Sequence, residues 1–324
     1  MRRFLVVGSV CLSGCAADPA PARPAQDPPR PPVGISDPLF DDPGAFEPLP
    51  AAGPTGWRAR FDEPGQSYLD FLGTVPRRPT PQTEHLYLLP LGEMGTAFVV
   101  DAEVTYIVRT PSTSQMAALL TAYFGLPAEV LPAVEIEALL EPDRIRRGHE
   151  QFRAQHLFEA TAQLVPEDAY SMTTLMVQDV FFDDAQGWGY GFGQHRGGQA
   201  VVSFARIDPV VSGLAREEDI QERIPQRAFT LLVHEVGHTF GLEHCTEHRC
   251  VMNGMADLAE LDATPLHLCP QCLRKLLYLR PIDPVERYRA LNTLYTALGL
   301  ERPTQWTAAR LRSLEREAAR PQTP

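Results

Sequence analysis

The sequence predicts a mixed fold, α/β or α+β, in which helices partly cover a sheet. Strand-like runs rich in leucine, tyrosine and β-branched residues alternate with amphipathic helical runs through the middle of the 324-residue chain. No internal repeat interrupts this alternation. An apolar content of 44% is typical of a globular protein, and a chain of this length can bury a sizeable core.

The first predicted elements are two strands at residues 84–92 and 102–110, which are rich in leucine, tyrosine and β-branched residues. A helix is then expected to open at Ser112 and to end at Gly125. A second helix is predicted over residues 149–164, because phenylalanine, histidine and alanine recur there at helical spacing.

Two further strands are predicted at residues 173–182 and 199–207, which are mostly apolar runs of strand length. Between them, residues 187–198 read GWGYGFGQHRGG. This segment lacks the lysine and the spacing of a phosphate-binding loop, so we predict a turn or a bulged edge strand. A helix with apolar spacing is predicted to follow over residues 225–241.

The first residues are typical of an export signal. Arg2 and Arg3 precede nine largely apolar residues, a run of signal-peptide length that is too short to span a membrane. The tetrapeptide LSGC, which ends at Cys15, resembles a bacterial lipobox, and the alternative is an ordinary signal peptide cleaved near Ala16. We predict a lipoprotein-type signal over residues 1–14, lipidation of Cys15 as the only membrane anchor, and a place in a bacterial cell envelope.

A proline-rich stretch separates this signal from the globular part. Residues 15–56 are rich in proline, alanine and aspartate, which favour extended chain and cannot bury enough apolar surface to fold alone. We predict a spacer, and the alternative is that its turns wrap the domain surface. The globular domain is predicted over residues 57–283. Residues 284–324 are predicted to form two packing or capping helices, at 284–300 and 305–320, and a frayed tail.

The charge of the chain argues against nucleic-acid binding. It contains 29 lysines and arginines against 41 aspartates and glutamates, a formal net charge of −12. Nucleic-acid binding needs a basic face, so no nucleic-acid partner is expected. An acidic surface of this kind is typical of a soluble domain.

The strongest chemical signal is HEVGHTFGLEHC, at residues 234–245. On a helix, His234 and His238 lie one turn apart on the same face, so both rings reach one zinc ion. If the helix continued, His244 would lie about 15 Å along the axis from His234 and point elsewhere. Gly241 is expected to end the helix, since glycine accepts a left-handed conformation, and the turn brings His244 to the same ion. Three protein ligands leave a fourth position for water, which is typical of catalytic zinc.

Glu235 completes a hydrolytic motif. Catalytic zinc polarises the substrate carbonyl and lowers the pKa of a water molecule toward about 7. Glu235 is predicted to act as the general base that takes the proton and passes it to the leaving amine. The five fixed positions of HExxHxxGxxH arise by chance in a chain of this length with a probability on the order of 10⁻⁵ to 10⁻⁴. We therefore predict a zinc-dependent peptidase with peptide or protein substrates; buried core histidines are the alternative.

Four cysteines follow in two close pairs, Cys245 with Cys250 and Cys269 with Cys272. Four thiolates at this spacing predict a closed, structural zinc site. The alternatives are two disulfides in an exported protein, or a redox-active CPQC motif. The predicted cofactors are thus two Zn²⁺ ions, one catalytic and one structural. Met252, two residues after Cys250, is the candidate for a methionine turn below a three-histidine zinc site.

Together these residues resemble the archaemetzincin family of metallopeptidases, of the metzincin clan. This chain matches the family pattern at every position. The pattern consists of HExxHxxGxxHC, a second cysteine after a four-residue gap, a methionine close behind and a later CxxC. The resemblance covers about residues 84–280 and is strongest over residues 228–275. It implies a metzincin-like twisted mixed sheet with an active-site helix, a catalytic zinc on the three histidines with Glu235 as general base, and a structural zinc on the four cysteines.

Two functions from different classes follow. The first is a lipid-tethered zinc peptidase, in which an edge strand within residues 187–207 pairs with the substrate backbone. The second is a catalytically silent zinc-binding lipoprotein that keeps the fold and binds peptides without turnover. The sequence retains every ligand and Glu235, which favours the peptidase.

Overall fold

The computed structural model describes five segments of the chain: residues 44–100, 105–184, 187–195, 198–208 and 220–318. The predicted signal peptide, its lipidation site Cys15 and most of the predicted tether lie outside these residues. Within the five segments, no helix is both long enough and apolar enough to cross a bilayer.

In the described residues, ten strands form three sheets. They are β1 His85–Pro90, β2 Thr96–Val100, β3 Thr105–Arg109, β4 Ala128–Val130, β5 Arg144–Arg146, β6 His149–Arg153, β7 Ala169–Met176, β8 Asp179–Phe181, β9 Gly191–Gly193 and β10 Gln199–Ser203. The main sheet has the order β4-β1-β7-β10-β9. Its strands are parallel except for β9, which lies antiparallel to β10 at the edge. The pair β2-β3 and the group β5-β6-β8 form the two smaller sheets.

The helices of the described segments alternate with these strands. They are α1 Trp57–Arg60, α2 Tyr68–Gly73, α3 Thr113–Phe124, α4 Ala154–Thr161, α5 Ile220–Thr239, α6 Leu258–Ala263, α7 Pro270–Leu279, α8 Pro284–Ala297 and α9 Glu301–Ala318. Two 3₁₀ turns, Ile136–Ala138 and Ala162–Leu164, complete the regular structure. This arrangement confirms the predicted mixed α/β class.

The core lies on both faces of the main sheet. Along β1, Leu86 and Leu88 belong to the cluster beneath α3 and α5, whereas Tyr87 and Leu89 belong to the cluster that contains residues of α4. All eight residues of β7 are buried. A sheet with parallel strands buries both faces in this way because its crossover helices cover them. The main sheet is therefore a rigid support for the edge strand β9 and for α5.

The first central helix begins and ends where the sequence predicts. Ser112 caps α3 by accepting a hydrogen bond from the Gln115 N–H, and the Gln115 side chain accepts one from the Ser112 N–H. Gly125 follows the helix in the left-handed conformation, with φ of 68°.

The helix predicted over residues 149–164 is wrong in its first third. Residues His149–Arg153 form β6, and the helix α4 begins only at Ala154. β6 pairs with β5 on one side and with β8 on the other. These two ladders satisfy the backbone of the segment, so tertiary pairing prevails over a helical spacing of apolar residues.

The single strand predicted at residues 173–182 is two strands in different sheets. β7 ends at Met176, and β8 at Asp179–Phe181 pairs with β6. The bend allows the buried Asp179 carboxylate to accept hydrogen bonds from Arg206 and Gln151. The run is mostly apolar and of strand length, so its pattern predicts one strand, although the polar residues Gln178 and Asp179 lie where the chain changes sheets.

The described part of the predicted tether contacts the globular part. Of residues 15–56, the structure describes 44–56, and within them Phe46 is buried against the rings of His267 and Trp306. This end of the proline-rich stretch thus follows the wrapping course that was the alternative to a free spacer. The domain boundaries themselves stay predictions.

The two C-terminal helices share the main core. Tyr288, Leu291 and Tyr295 of α8 belong to the cluster that also contains residues of α3 and α5. The Arg287 guanidinium, which is buried, donates to the Tyr123 carbonyl at the end of α3. These helices therefore pack on the domain.

The end of α5 is built around Gly241. The Leu242 N–H donates to the Gly237 carbonyl and the Gly241 N–H donates to the His238 carbonyl, the pair of bonds that defines a Schellman motif. Gly241 has φ of 77°, a left-handed conformation that costs other residues free energy. The chain therefore reverses immediately after α5 and runs back along it.

We predict that Gly241→Ala lowers the free energy of unfolding by about 1–2 kcal/mol, the cost of a left-handed alanine. An added Cβ meets no heavy atom closer than 3.6 Å, so steric clash adds nothing. Asparagine tolerates this conformation, so Gly241→Asn should cost less. Denaturant titration at matched metal content measures both. Gly53→Ala, which adds a methyl group in open space, is the control. Equal stability of Gly241→Ala and wild type would contradict the argument.

Candidate functional site

A cleft of about 1140 Å³ opens beside α5 at the edge of the main sheet. Its walls include the edge strand β9, the three histidines of the HExxHxxGxxH motif, and Glu235. The cleft thus lies where the sequence analysis places the chemistry.

The structure brings the three predicted zinc ligands together. His234 and His238 are one turn apart on α5, and their Nε2 atoms are 3.1 Å apart. After the turn at Gly241, the His244 ring centroid lies 5.3 Å from that of His234 and 5.0 Å from that of His238. One nitrogen from each ring lies within 4.8 Å of the other two. Two nitrogens bound to one tetrahedral zinc lie roughly 3.3 Å apart, so this donor set fits the ion.

The outer nitrogens of the three rings are all engaged by acceptors. Each Nδ1–H donates over 2.7 Å: His234 to the Val251 carbonyl, His238 to the Leu242 carbonyl and His244 to the Glu63 carboxylate. Because carbonyl and carboxylate oxygens only accept, the proton sits on Nδ1 and the Nε2 lone pair is left for a metal.

Burial keeps the two imidazoles on α5, those of His234 and His238, neutral. It lowers the pKa of His234 to about 3 in the metal-free chain, with the neighbouring His244 adding to the effect. Burial, followed by the influence of His234, lowers the pKa of His238 well below its ordinary value. Both rings are therefore neutral at neutral pH, with one proton on Nδ1 and a free lone pair on Nε2, which is the state that binds zinc.

Glu235 lies between α5 and the edge strand. Its carboxylate accepts a hydrogen bond from the Gly193 N–H, while burial raises the pKa of Glu235 to about 8 in the metal-free chain. The strand approaches this closely only because it has glycines: a Cβ at Gly193 would stand 2.3 Å from the Glu235 carbonyl oxygen and 2.6 Å from the His238 Cβ. A carboxyl that titrates near neutral pH is suited to accept and release a proton.

Met252 lies beneath the active-site helix. Its side chain is buried, and a Cβ at Gly237 of α5 would stand 2.5 Å from the Met252 Sδ. The Met252 carbonyl accepts a hydrogen bond from the Cys245 N–H. The methionine therefore supports α5 between the turns that carry the two helical ligands, and it ties the loop after His244 to this support.

The four predicted cysteines form a second cluster. Their Sγ atoms lie within 4.8 Å of one another, all four side chains are buried, and none is in a disulfide. Cys245 and Cys269 have Sγ atoms 3.6 Å apart, close to the roughly 3.8 Å expected for two sulfurs on one tetrahedral zinc. This arrangement favours the metal interpretation over the two disulfides and over a redox CPQC pair.

Backbone donors also point at these sulfurs. The Cys269 N–H lies 3.3 Å from the Cys250 Sγ, and the Cys272 N–H lies 3.5 Å from the Cys269 Sγ. Such bonds stabilise thiolates, the form that binds metal. Burial raises the pKa of Cys250 well above its ordinary value in the metal-free chain. A bound cation would supply the charge that offsets this penalty.

Residues from the N-terminal part of the chain also reach the site, and no sequence pattern predicted them. Glu63 is 181 positions from His244, and the Trp57 indole N–H donates to the same Glu63 oxygen over 2.8 Å. Burial by itself would raise the pKa of Glu63, but hydrogen bonds from His244 and Trp57 and the charge of His244 outweigh it, so the pKa is lowered. A lone glutamate at this distance carries no sequence signal.

His195 also went unnoticed. It follows β9 and lies on the cleft wall, with its ring centroid 5.0 Å from that of His238. The sequence analysis treated its segment only as a turn or edge strand.

Comparisons with known proteins agree with this site. The profile of peptidase family M54 matches residues 156–277, which include both the histidine motif and the four cysteines. Archaemetzincin-2 of Pongo abelii is 28% identical over 274 residues, covering 76% of this chain and 73% of the relative. Archaemetzincin of Pyrococcus furiosus is 27% identical over 154 residues, covering 47% of this chain and 77% of the relative.

Among solved structures, archaemetzincin from Methanopyrus kandleri is similar with a TM-score of 0.46 and 21% sequence identity, covering 63% of this chain and 99% of that one. The matched part of the family profile spans the histidine and cysteine motifs. The profile match and the curated relatives support the archaemetzincin family of zinc metallopeptidases, peptidase family M54, as the family to which this chain is similar.

Proposed function

We propose that this chain hydrolyses peptide bonds with one zinc ion held by His234, His238 and His244, and with Glu235 as general base. The observation that carries the proposal is the convergence of three imidazoles, each held by a hydrogen bond at Nδ1, beside a buried carboxyl in an open cleft. Peptides or proteins are the substrates. A zinc ion bound there supplies Lewis acidity to the substrate carbonyl and to a water molecule.

The chain's own groups then handle the protons. Glu235 takes a proton from the attacking water and delivers it to the amine nitrogen as the peptide bond breaks. The Gly193 N–H, which donates to the Glu235 carboxylate, keeps the carboxylate at the cleft. No covalent intermediate with a side chain is required, since water is the nucleophile.

The edge strand β9 supplies a rail for the substrate backbone. Tyr190 and Gln194 bond to β10, so in an antiparallel ladder the N–H and carbonyl of Gly191 and the carbonyl of Gly193 point the other way, toward the cleft. An extended peptide that pairs with this edge adds a strand to the sheet and lays its scissile bond beside Glu235.

Glu235→Gln should lower kcat/KM by about 10²–10⁴-fold, the usual contribution of a general base. The zinc content should stay unchanged, because the side chain is isosteric and is not a ligand. A peptide library assayed with and without chelator, alongside the exposed control Glu167→Gln, measures this. Equal turnover by Glu235→Gln and wild type would end the assignment.

Wild type and Glu235→Gln also test the alternative that the chain binds peptides without hydrolysing them. If zinc-loaded wild type turns over no peptide, yet wild type and Glu235→Gln bind peptides equally in calorimetry, the chain is a binding protein of the peptidase fold. Turnover that chelator abolishes excludes that alternative.

We propose further that each chain holds two zinc ions, the second on Cys245, Cys250, Cys269 and Cys272. Elemental analysis of the purified mature chain should find two zinc ions per chain in the wild type and one in Cys272→Ser. Because structural zinc adds its binding free energy to folding, Cys272→Ser should also unfold at lower denaturant concentration. One zinc together with no titratable thiols would indicate disulfides instead.

We propose, finally, that Cys15 carries a lipid that anchors the mature chain in a bacterial cell envelope. The support is the LSGC tetrapeptide after the apolar run. In a bacterial host, the wild-type chain should fractionate with membranes and Cys15→Ser should not. Membrane retention of Cys15→Ser, or a mature N-terminus other than residue 15, would contradict the anchor.

A further inference from the structure

An N-terminal strap, residues 57–67, crosses the loop that carries His244. Three of its side chains contact that loop or the turn below it: Trp57, Glu63 and Gln66. The strap precedes the first strand of the main sheet and lies outside the HExxHxxGxxH motif.

Glu63 is the contact that reaches the zinc ligand itself. Its Oε2 lies 2.7 Å from the His244 Nδ1 and 2.8 Å from the Trp57 indole nitrogen. The side chains of His244 and Glu63 are 18% and 32% exposed, so solvent only partly screens the pair. The Trp57 ring also packs edge-on against the His244 ring, with centroids 4.9 Å apart.

Both ends of the strap are anchored. At its start, the Trp57 N–H donates to the Glu260 carboxylate of α6 over 3.0 Å. The Trp57 indole lies against Gly254, where a Cβ would stand only 2.3 Å from the ring. Trp57 therefore sits between His244 and the segment that follows Met252.

Gln66 anchors the other end. Its amide donates to the Gly241 carbonyl over 3.2 Å and its oxygen accepts from the Glu243 N–H over 3.4 Å. The buried Lys275 ammonium of α7 donates to the same oxygen over 2.9 Å. Glu63 is thus held at a defined place by anchors on both sides.

The three zinc ligands differ in what orients them. His234 and His238 belong to a buried helix and donate to backbone carbonyls. His244 belongs to a loop after the helix, and its Nδ1 partner is a charged side chain from a distant part of the chain. A carboxylate bonded to a ligating histidine fixes its tautomer and raises its basicity toward the metal.

We propose that Glu63 is a positioning residue, which orients and polarises His244 as a ligand of the catalytic zinc. The strap is therefore part of the metal centre. This inference rests on the proposed zinc site. It assigns to the N-terminal strap a role in holding metal that the motif residues do not reveal.

The test is zinc affinity of the full chain, measured by competition with a colorimetric chelator. Glu63→Ala should weaken binding at the histidine site about 10- to 100-fold, the usual effect of removing such a partner. Glu63→Gln should lose less, because its amide oxygen still accepts the Nδ1–H. Asp62→Asn removes an exposed carboxylate next to it in the strap and should change nothing. A thiol reagent measures metal binding at the four-cysteine site separately, and that binding should be the same in every variant.

A double-mutant cycle separates positioning from general loosening of the fold. In a His244→Ala background, Glu63→Ala should cause no further loss of zinc affinity, since its partner is gone. An equal further loss in that background would assign Glu63 a purely structural role and overturn the proposal. Failure of wild type to bind zinc at the histidines would instead overturn the proposed function. If the zinc affinities of wild type and Glu63→Ala agree within twofold, the role of Glu63 is refuted and the proposed function stands.

Discussion

One constraint governs the centre of this molecule: imidazoles from both sides of a chain reversal meet at one point, where we propose a zinc ion. Two ligands lie on the straight, buried helix α5, and the third follows the turn at Gly241. The reversal is sharp because a left-handed residue at 241 lets two backbone bonds close back onto the last turn of the helix. If the helix ran on, no rearrangement of side chains would bring the third ring to the first two.

The main sheet brings its edge strand to the same cleft as the three histidines. Its edge strand lies so near α5 that Gly191 and Gly193 have no room for side chains. The same closeness places a backbone N–H on the Glu235 carboxylate. The segment needs glycine at these positions because the short distance between the strand and α5 excludes side chains. Close approach of strand to helix joins the proposed general base and the proposed substrate rail in one wall of the cleft.

Around the three histidines, the chain beyond α5 is held from several sides. The four-cysteine cluster begins at Cys245, directly after the third histidine, and ties that loop to the start of α7. The buried side chain of Asn253 donates to the Cys245 and His248 carbonyls and accepts from the Cys250 N–H, which closes the same loop internally. From the other side, the strap adds Glu63 and Gln66. A loop ligand needs such support because it lacks the regular hydrogen bonds that hold a ligand on a helix.

Although α5 begins at Ile220, five residues before its predicted start, the sequence by itself determined the mixed fold class, the end of α5 at a left-handed glycine, the grouping of the three histidines beside Glu235, and the grouping of the four cysteines. All of these are local: they follow from helical periodicity, from glycine at a left-handed position and from ligand spacing within fewer than forty residues. Tertiary structure alone decided that residues 149–153 form a strand, that the run at 173–182 divides between two sheets, and that Glu63 meets His244. Those outcomes depend on residues far apart in the chain. The interaction between two distant segments produces no periodic pattern in the sequence of either segment.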